Sequence, residues 1–176
     1  MEERVSADSG TEESPAPSET AGDLGQEDRR YRLAFDRAVR LLAQREHSLR
    51  ELVTKLTTKG VDAATAGLVV DDLRGRGLQS DARFAEAFVH SRIGRGHGPI
   101  RIRQELARRG IDDDVADDVL TTSAEYWLEL AAAARKRKFG DAAPGGREAW
   151  SRQARFLAGR GFPADLIYRV LGNAAD

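Results

Sequence analysis

Leu106-Ala107-Arg108-Arg109-Gly110-Ile111-Asp112 is the stretch on which the fold turns. It has a leucine, a base just before a glycine, and a large apolar residue just after it. The same arrangement stands at Leu56-Thr57-Thr58-Lys59-Gly60-Val61-Asp62. It stands again at Leu157-Ala158-Gly159-Arg160-Gly161-Phe162-Pro163. Aligned on Gly60, Gly110 and Gly161, the copies lie 50 and 51 residues apart. Downstream columns keep the same register: Ala66, Ala116 and Ile167; Val69, Val119 and Val170; Val70, Leu120 and Leu171. Seven columns that agree in type across three copies make an internal repeat.

Working outward from each glycine, the spacing predicts three helices per copy. The glycine ends the second helix, because it supplies a left-handed C-terminal cap without steric cost. The third helix starts at once, with Asp62 and Asp112 as N-cap residues and Pro163 suited to a first turn. Ser48 and Glu51 are spaced as a capping box for the second helix of copy one, and Gly98-Pro99 opens its counterpart in copy two. Ser80-Asp81 and Thr122 with Glu125 mark the starts of first helices. Apolar residues recur at helical intervals, as in Leu49, Leu52, Val53 and Leu56, and no run alternates as a strand would. The expected fold is all-α: three tandem three-helix repeats in an elongated, curved array. A unit of about 50 residues is marginal alone, and stacking lets neighbours share apolar faces.

The domain map that follows is an acidic, disordered tail over 1–28, then repeats over 29–74, 75–121 and 122–176. The tail is rich in Ser, Glu, Thr, Ala, Gly and Pro and has too few large apolar residues to offset its ordering entropy. Periodic apolar spacing begins at Tyr31. Gly140 to Gly146 is the clear internal loop, between the first and second helices of repeat three. The chain has no cysteine, which excludes disulfides and thiolate metal sites and suits a reducing, cytoplasmic setting. No apolar run approaches the ~20 residues needed to cross a bilayer, so no membrane partner is expected.

The net charge of −1 hides an asymmetry. Residues 1–30 hold nine acids and three Arg, leaving 25 bases and 20 acids in the remainder. A basic body behind an acidic tail suggests an anionic partner that the tail screens, or simply a solvated surface with a solubilising tail. The second helices carry the positive charge: Arg45, Arg50, Lys55 and Lys59; Arg101, Arg103, Arg108 and Arg109; Arg152, Arg155 and Arg160. Third helices are different, and the second of them holds Asp112, Asp113, Asp114, Asp117 and Asp118 with no base. Phosphates would repel that helix, so major-groove reading by a last helix in helix-turn-helix fashion is excluded. Arg92, Arg95 and the run Arg135-Lys136-Arg137-Lys138 are further candidates for a phosphate or acidic-patch contact; the run also suits the negative end of its own helix.

Catalytic chemistry is missing from the motifs. Gly94-Arg95-Gly96-His97-Gly98 lacks the Gly-Lys-Ser/Thr ending of a nucleotide loop and follows a helix, so it reads as a hinge. His47, His90 and His97 show no metal-ligand spacing with carboxylates, and the Asp cluster lacks a glycine-turn calcium loop. The expectation is a non-enzyme with no metal and no cofactor.

Several segments taken together resemble the RecX family of regulatory proteins. Arg45-Glu46-His47-Ser48-Leu49-Arg50-Glu51-Leu52 with Leu56 and Gly60 is similar to that family's opening signature. Leu78-Gln79-Ser80-Asp81-Ala82-Arg83-Phe84-Ala85, then Gly98-Pro99 with Glu105-Leu106 and Arg109-Gly110-Ile111, resembles its centre. Arg160-Gly161-Phe162 with Ile167 and Leu171 resembles its end. The resemblance covers about residues 35–172. His47, where an aromatic is usual, and Pro163, where a small polar cap is usual, depart from the pattern. The resemblance implies a monomer that binds the helical groove of the RecA recombinase filament and restrains ATP hydrolysis, filament growth and strand exchange in DNA repair. Two other readings stay open: a direct binder of single- or double-stranded DNA, and a helical-repeat adaptor for another protein.

Overall fold

A computed structural model describes residues 18–173 of the chain. Among the described residues there are nine helices and no strand: α1 Ser18–Leu42, α2 Leu49–Thr58, α3 Ala63–Gly75, α4 Asp81–Gly94, α5 Pro99–Ala107, α6 Asp113–Leu120, α7 Ala124–Phe139, α8 Arg147–Arg160 and α9 Ala164–Leu171. Every closely packed helix pair lies within one of three units, α1–α3, α4–α6 and α7–α9.

The repeat columns account for this local structure. Each glycine has a positive φ, 86°, 77° and 89° at Gly60, Gly110 and Gly161. Each turn is closed in the same way, by Val61 N–H donating to Leu56 O, Ile111 N–H to Leu106 O and Phe162 N–H to Leu157 O, at 3.1, 3.2 and 3.1 Å. The leucine column therefore has two roles. Its carbonyls accept the Schellman bond, and its side chains are fully buried, each worth about 2 kcal/mol of apolar burial. Side-chain caps hold the helix starts: Ser48 Oγ accepts from Glu51 N–H at 3.1 Å and Asp62 Oδ1 from Thr65 N–H at 2.9 Å. Ser123, not Thr122, caps α7, by accepting from Tyr126 N–H. Pro163 stands at the N-cap of α9, just outside its first turn.

α1 reaches back to Ser18, inside the stretch 1–28 whose composition predicts disorder; the expectation for 1–17 lies outside the described residues. Extension is cheap once a nucleus exists, and the packed turns of α1 from Tyr31 onward supply that nucleus. Asp28 and Arg32 add an i,i+4 pair at 2.7 Å on the exposed part.

Two apolar cores result. Repeat one has its own, built on Ala34, Ala38, Leu52, Leu56, Ala66, Val69, Val70 and Leu73. Repeats two and three share one continuous core, which runs from Phe84 and Leu106 to Leu157 and Leu171.

Candidate functional site

The basic second helices stand end to end. At the first joint, the carbonyl of Arg109 at the end of α5 accepts the Ser48 hydroxyl, N-cap of α2, at 2.8 Å. At the second joint, Arg160 O at the end of α8 accepts Gly98 N–H, N-cap of α5, at 2.8 Å, and Gly161 O accepts Ile100 N–H at 3.1 Å. The same repeat position thus carries the contact at both joints. The glycines let the helix ends approach. A Cβ on Gly161 would lie 2.4 Å from Arg101 Cβ, and one on Gly110 would lie 3.0 Å from Arg50 Cβ. Each negative helix end meets a positive one, so α8, α5 and α2 form a single head-to-tail row.

The first joint is polar and densely bonded. Ser48 is fully buried, and its hydroxyl donates across the joint while accepting from Glu51 N–H. Asp81, the first residue of α4, accepts Leu49 N–H at 2.9 Å and Gln79 Nε2 at 2.7 Å. Buried Gln79 also donates to His47 O at 3.3 Å. Arg83 pairs with Glu46 at 2.9 Å and Arg109 with Glu51 at 3.4 Å. His47 is buried with Nδ1 3.1 Å from Glu51, and burial together with nearby Arg45 pushes its pKa down. Two guanidinium groups stand over the Phe88 ring, Arg92 at 4.2 Å and Arg109 at 4.5 Å from its centroid.

Glu105 anchors the second helix of repeat two. Burial alone would push its carboxyl up, but hydrogen bonds from Arg92 at 2.6 Å and Arg101 at 3.0 Å outweigh that and hold it at about 2. His97 lies 3.8 Å away, its pKa lowered by burial and by Arg101. The Gly94–Gly98 loop is a closed turn. The amides of Gly96, His97 and Gly98 donate to Ile93 O, Arg92 O and Arg160 O, so none of the three is free to cradle a phosphate.

Three open grooves run side by side along the row. One of about 270 Å³ is lined by Ile100, Arg101, Gln104, Glu105 and Arg108. The next, about 360 Å³, is lined by Arg45, Arg50, Thr54, Lys55, Arg108 and Arg109. The third, about 340 Å³, is floored by Phe88 and edged by Arg45, Arg92 and Arg109. Shared residues make them one strip. Glu51 and Glu105 are engaged by Arg45, Arg109, Arg92 and Arg101, whereas Arg50, Lys55 and Arg108 are exposed with no carboxylate partner among the described residues.

Of the bases singled out from sequence, Arg45, Arg50, Lys55, Arg92, Arg101, Arg108 and Arg109 line this strip. Arg103 turns away to pair with Asp117 of α6. Lys59 stands at the far end of the row, and Arg160 stacks on Phe156 and donates to Arg95 O at the second joint. Arg152 and Arg155 are exposed on α8 and line none of the three grooves. Arg92 is largely buried against Glu105. Arg135 holds the loop after α7, bonding Gln153 at 2.8 Å and the carbonyl of Ala142. Lys136 pairs with Asp141 at 2.8 Å, Lys138 lies over the Phe156 ring at 4.6 Å, and Arg137 reaches toward Gly96. Sequence reasoning missed Gln79, Asp81, Glu105 and Phe88 as joint residues. A glutamine and an aspartate at a helix start look like ordinary turn and cap residues, and nothing local marks their partners 32 residues upstream.

A head-to-tail array of three-helix units with a charged outer strip and polar joints defines a class of repeat proteins that act through an extended surface. Family models describe the chain in the same three pieces: the first, second and third three-helix domains of RecX match residues 34–73, 80–120 and 124–171. The chain belongs to the RecX family. Regulatory protein RecX of Halorhodospira halophila is 48% identical over 141 residues, covering 80% of this chain and 87% of that protein. Regulatory protein RecX of Pseudomonas putida, strain W619, is 40% identical over 136 residues, covering 77% and 87%. The crystal structure of RecX from Lactobacillus salivarius superposes with a TM-score of 0.69 at 21% identity, over 81% of this chain and 95% of that one. Another regulatory protein RecX structure gives 0.75 at 23% identity, over 91% and 80%. No helix of the described residues is long and apolar enough to cross a membrane.

Proposed function

We propose that the chain binds the RecA recombinase filament along its helical groove and inhibits ATP hydrolysis, filament extension and strand exchange. It works in the cytoplasm as a monomeric binding protein rather than as a catalyst. The observation that carries this reading is the strip along the joined second helices: the bases gathered from α2 and α5 complement a repeating acidic or phosphate-bearing track. The relatives' name, regulatory protein, supports a role exerted through a partner.

The test is a recombinase ATP-hydrolysis assay on single-stranded DNA with substoichiometric amounts of the chain. Lys55→Glu with Arg108→Glu is the informative variant, because both side chains are exposed and hold no joint. Arg101 and Arg109 are less suitable, since their removal would disturb Glu105, Glu51 and Phe88. The wild-type chain inhibits, and the double variant inhibits about tenfold less well with an unchanged helical spectrum. Equal inhibition by both would refute the basic-strip reading. Direct DNA binding is the second reading, and a salt titration with bare DNA tests it. Phe88 already stacks on Phe84 and holds Arg92 and Arg109 over its ring, which disfavours base stacking there.

A further inference from the structure

At the α2 end of the row stands an unused copy of the joint. In repeats two and three the glycine that ends the second helix receives the N-terminal end of the preceding second helix. Gly60 ends α2 in the same left-handed conformation, with φ of 86°, yet among the described residues nothing lies within 4 Å of the place a Cβ would take. Among the described residues, the carbonyl before it, Lys59 O, accepts only from the Arg37 guanidinium, at 3.4 Å. At the other two joints the equivalent carbonyl takes a 2.8 Å bond from an N-cap residue. Beside Gly60 lies an open groove of about 570 Å³, lined by α1 and the α2–α3 turn. Leu33, on its wall, is 61% exposed. The rim carries Arg30, Arg37, Arg40 and Lys59 against Asp36 and Asp62, and Asp62 is already capping α3.

We infer that this end is a docking site for the N-terminal end of a partner protein's helix that is acidic in its first turns. The inference rests on the reading of the chain as a filament regulator and names the contact its first repeat makes. The two internal joints supply the geometry: a helix start seats on a glycine-ended helix and gives one hydrogen bond to the carbonyl before the glycine. The rim supplies the chemistry. Four bases favour acidic side chains, and acids in a first turn also suit the positive end of their own helix. Leu33 offers an apolar contact beside them. A second copy of this chain is a poorer occupant. Its one second-helix start not seated at a joint is α8, which begins at Arg147, 14 residues before Gly161. α5 begins only 11 residues before Gly110, and α2 11 before Gly60. The overhanging turn of α8 is out of register for the joint and is neutral, with Arg147 beside Glu148.

The absence of cysteine makes the test clean, since a single introduced thiol is the only one in the chain. Leu33→Cys, carrying a benzophenone-maleimide photocrosslinker, is irradiated with recombinase filaments on single-stranded DNA, and the products are mapped by mass spectrometry. In parallel, Arg37→Glu with Arg40→Glu is measured for inhibition of ATP hydrolysis. The expected result is a crosslink to a recombinase peptide at the acidic start of a helix, and half-inhibition at a concentration about tenfold higher for the charge-reversed variant, with unchanged helicity. A crosslink to residues 1–17 of the same chain, a crosslink to a second copy, or inhibition unaffected by the charge reversal would each overturn the docking site. If the wild-type chain does not inhibit at all, it is the filament-regulator reading that fails. Inhibition by wild type without a Leu33 crosslink removes the docking end alone.

Discussion

Substituting alanine at Gly60, Gly110 and Gly161 in turn separates backbone strain from packing at the joints. The three glycines share one left-handed conformation and one repeat position, so the conformational cost of a Cβ is common to all, about 1 kcal/mol. At Gly60 nothing further is met among the described residues, and Gly60→Ala loses only that. At Gly110 the new methyl lies 2.9 Å from Arg50 Cδ and 3.0 Å from its Cβ. The Arg50 stem can yield by a few tenths of an ångström, which brings the loss to about 2 kcal/mol. At Gly161 the methyl would sit 2.4 Å from Arg101 Cβ and 2.5 Å from Arg101 N. Carbon atoms need about 3.5 Å or more, so the helix ends must part by roughly 1 Å. That opening breaks the bonds from Gly98 N–H and Ile100 N–H, each about 1 kcal/mol, and with the conformational cost Gly161→Ala loses about 3 kcal/mol in all. Urea denaturation followed by circular dichroism gives the order. Tryptophan fluorescence assigns the loss at Gly161, because Trp127 and Trp150, the only tryptophans, both lie in repeat three. Hydrogen exchange at Gly98 and Ile100 should accelerate in Gly161→Ala and stay unchanged in Gly60→Ala. Losses at Gly60 and Gly161 that agree within about 0.5 kcal/mol would refute the packing of the helix ends.

Two further outcomes follow from the joints. Stability should fall on acidification in two stages. His47 and His97 have lowered pKa values in the fold, so the unfolded chain takes up protons first as the pH drops below about 6.5, and that favours unfolding. Glu105, held at about 2 against the usual 4.5, contributes stability that is fully present above pH 4.5 and lost toward pH 2, at most about 3 kcal/mol. Urea midpoints at pH 7, 5.5, 4 and 3 measure both stages, and Glu105→Gln should flatten the lower one; an unchanged slope in that variant counts against the Arg92–Glu105–Arg101 cluster. Ser48→Ala removes a cap and a cross-joint bond together and leaves Arg109 O unpaired, so it should cost about 2 kcal/mol by the same denaturation assay, whereas Ser123→Ala, which loses a cap alone, should cost about 1.

The fold was legible because its determinants are local and repeated. Leu56, Leu106 and Leu157 lie a fixed distance before a glycine, and each uses both its side chain and its carbonyl to close the same turn. Such patterns survive in a linear reading. The strip was half legible. The charge asymmetry between second and third helices can be counted, but azimuth around a helix cannot. Arg103 and Arg108 stand five residues apart on one basic helix, yet one turns to Asp117 and the other lines two grooves. The joints were not legible at all. Ser48 and Arg109, 61 residues apart, meet only once the units are stacked. Arg92 and Arg135 carry the same charge as Arg108 but close contacts inside the protein, a distinction that needs their partners Glu105 and Gln153 in place.

The two joints also differ in kind, and that difference sets where the array can yield. Repeats two and three are joined by a continuous apolar core as well as by backbone bonds between helix ends. Parting them would expose Phe162 and its neighbours to water, a loss that water does not repay. Repeat one has a separate core and is joined by side-chain hydrogen bonds and ion pairs, through Ser48, Asp81, Gln79 and Arg83. When such contacts open, water satisfies the freed groups, so each nets only about 1 kcal/mol. A partly formed first joint is therefore far less costly than a partly formed second one. Repeats two and three are thus expected to move as one body and the first unit to yield at its polar joint, and that first unit carries the Gly60 end. Under the proposed filament-binding role, an adaptable joint next to the Gly60 end lets that end seat without distorting the strip behind it.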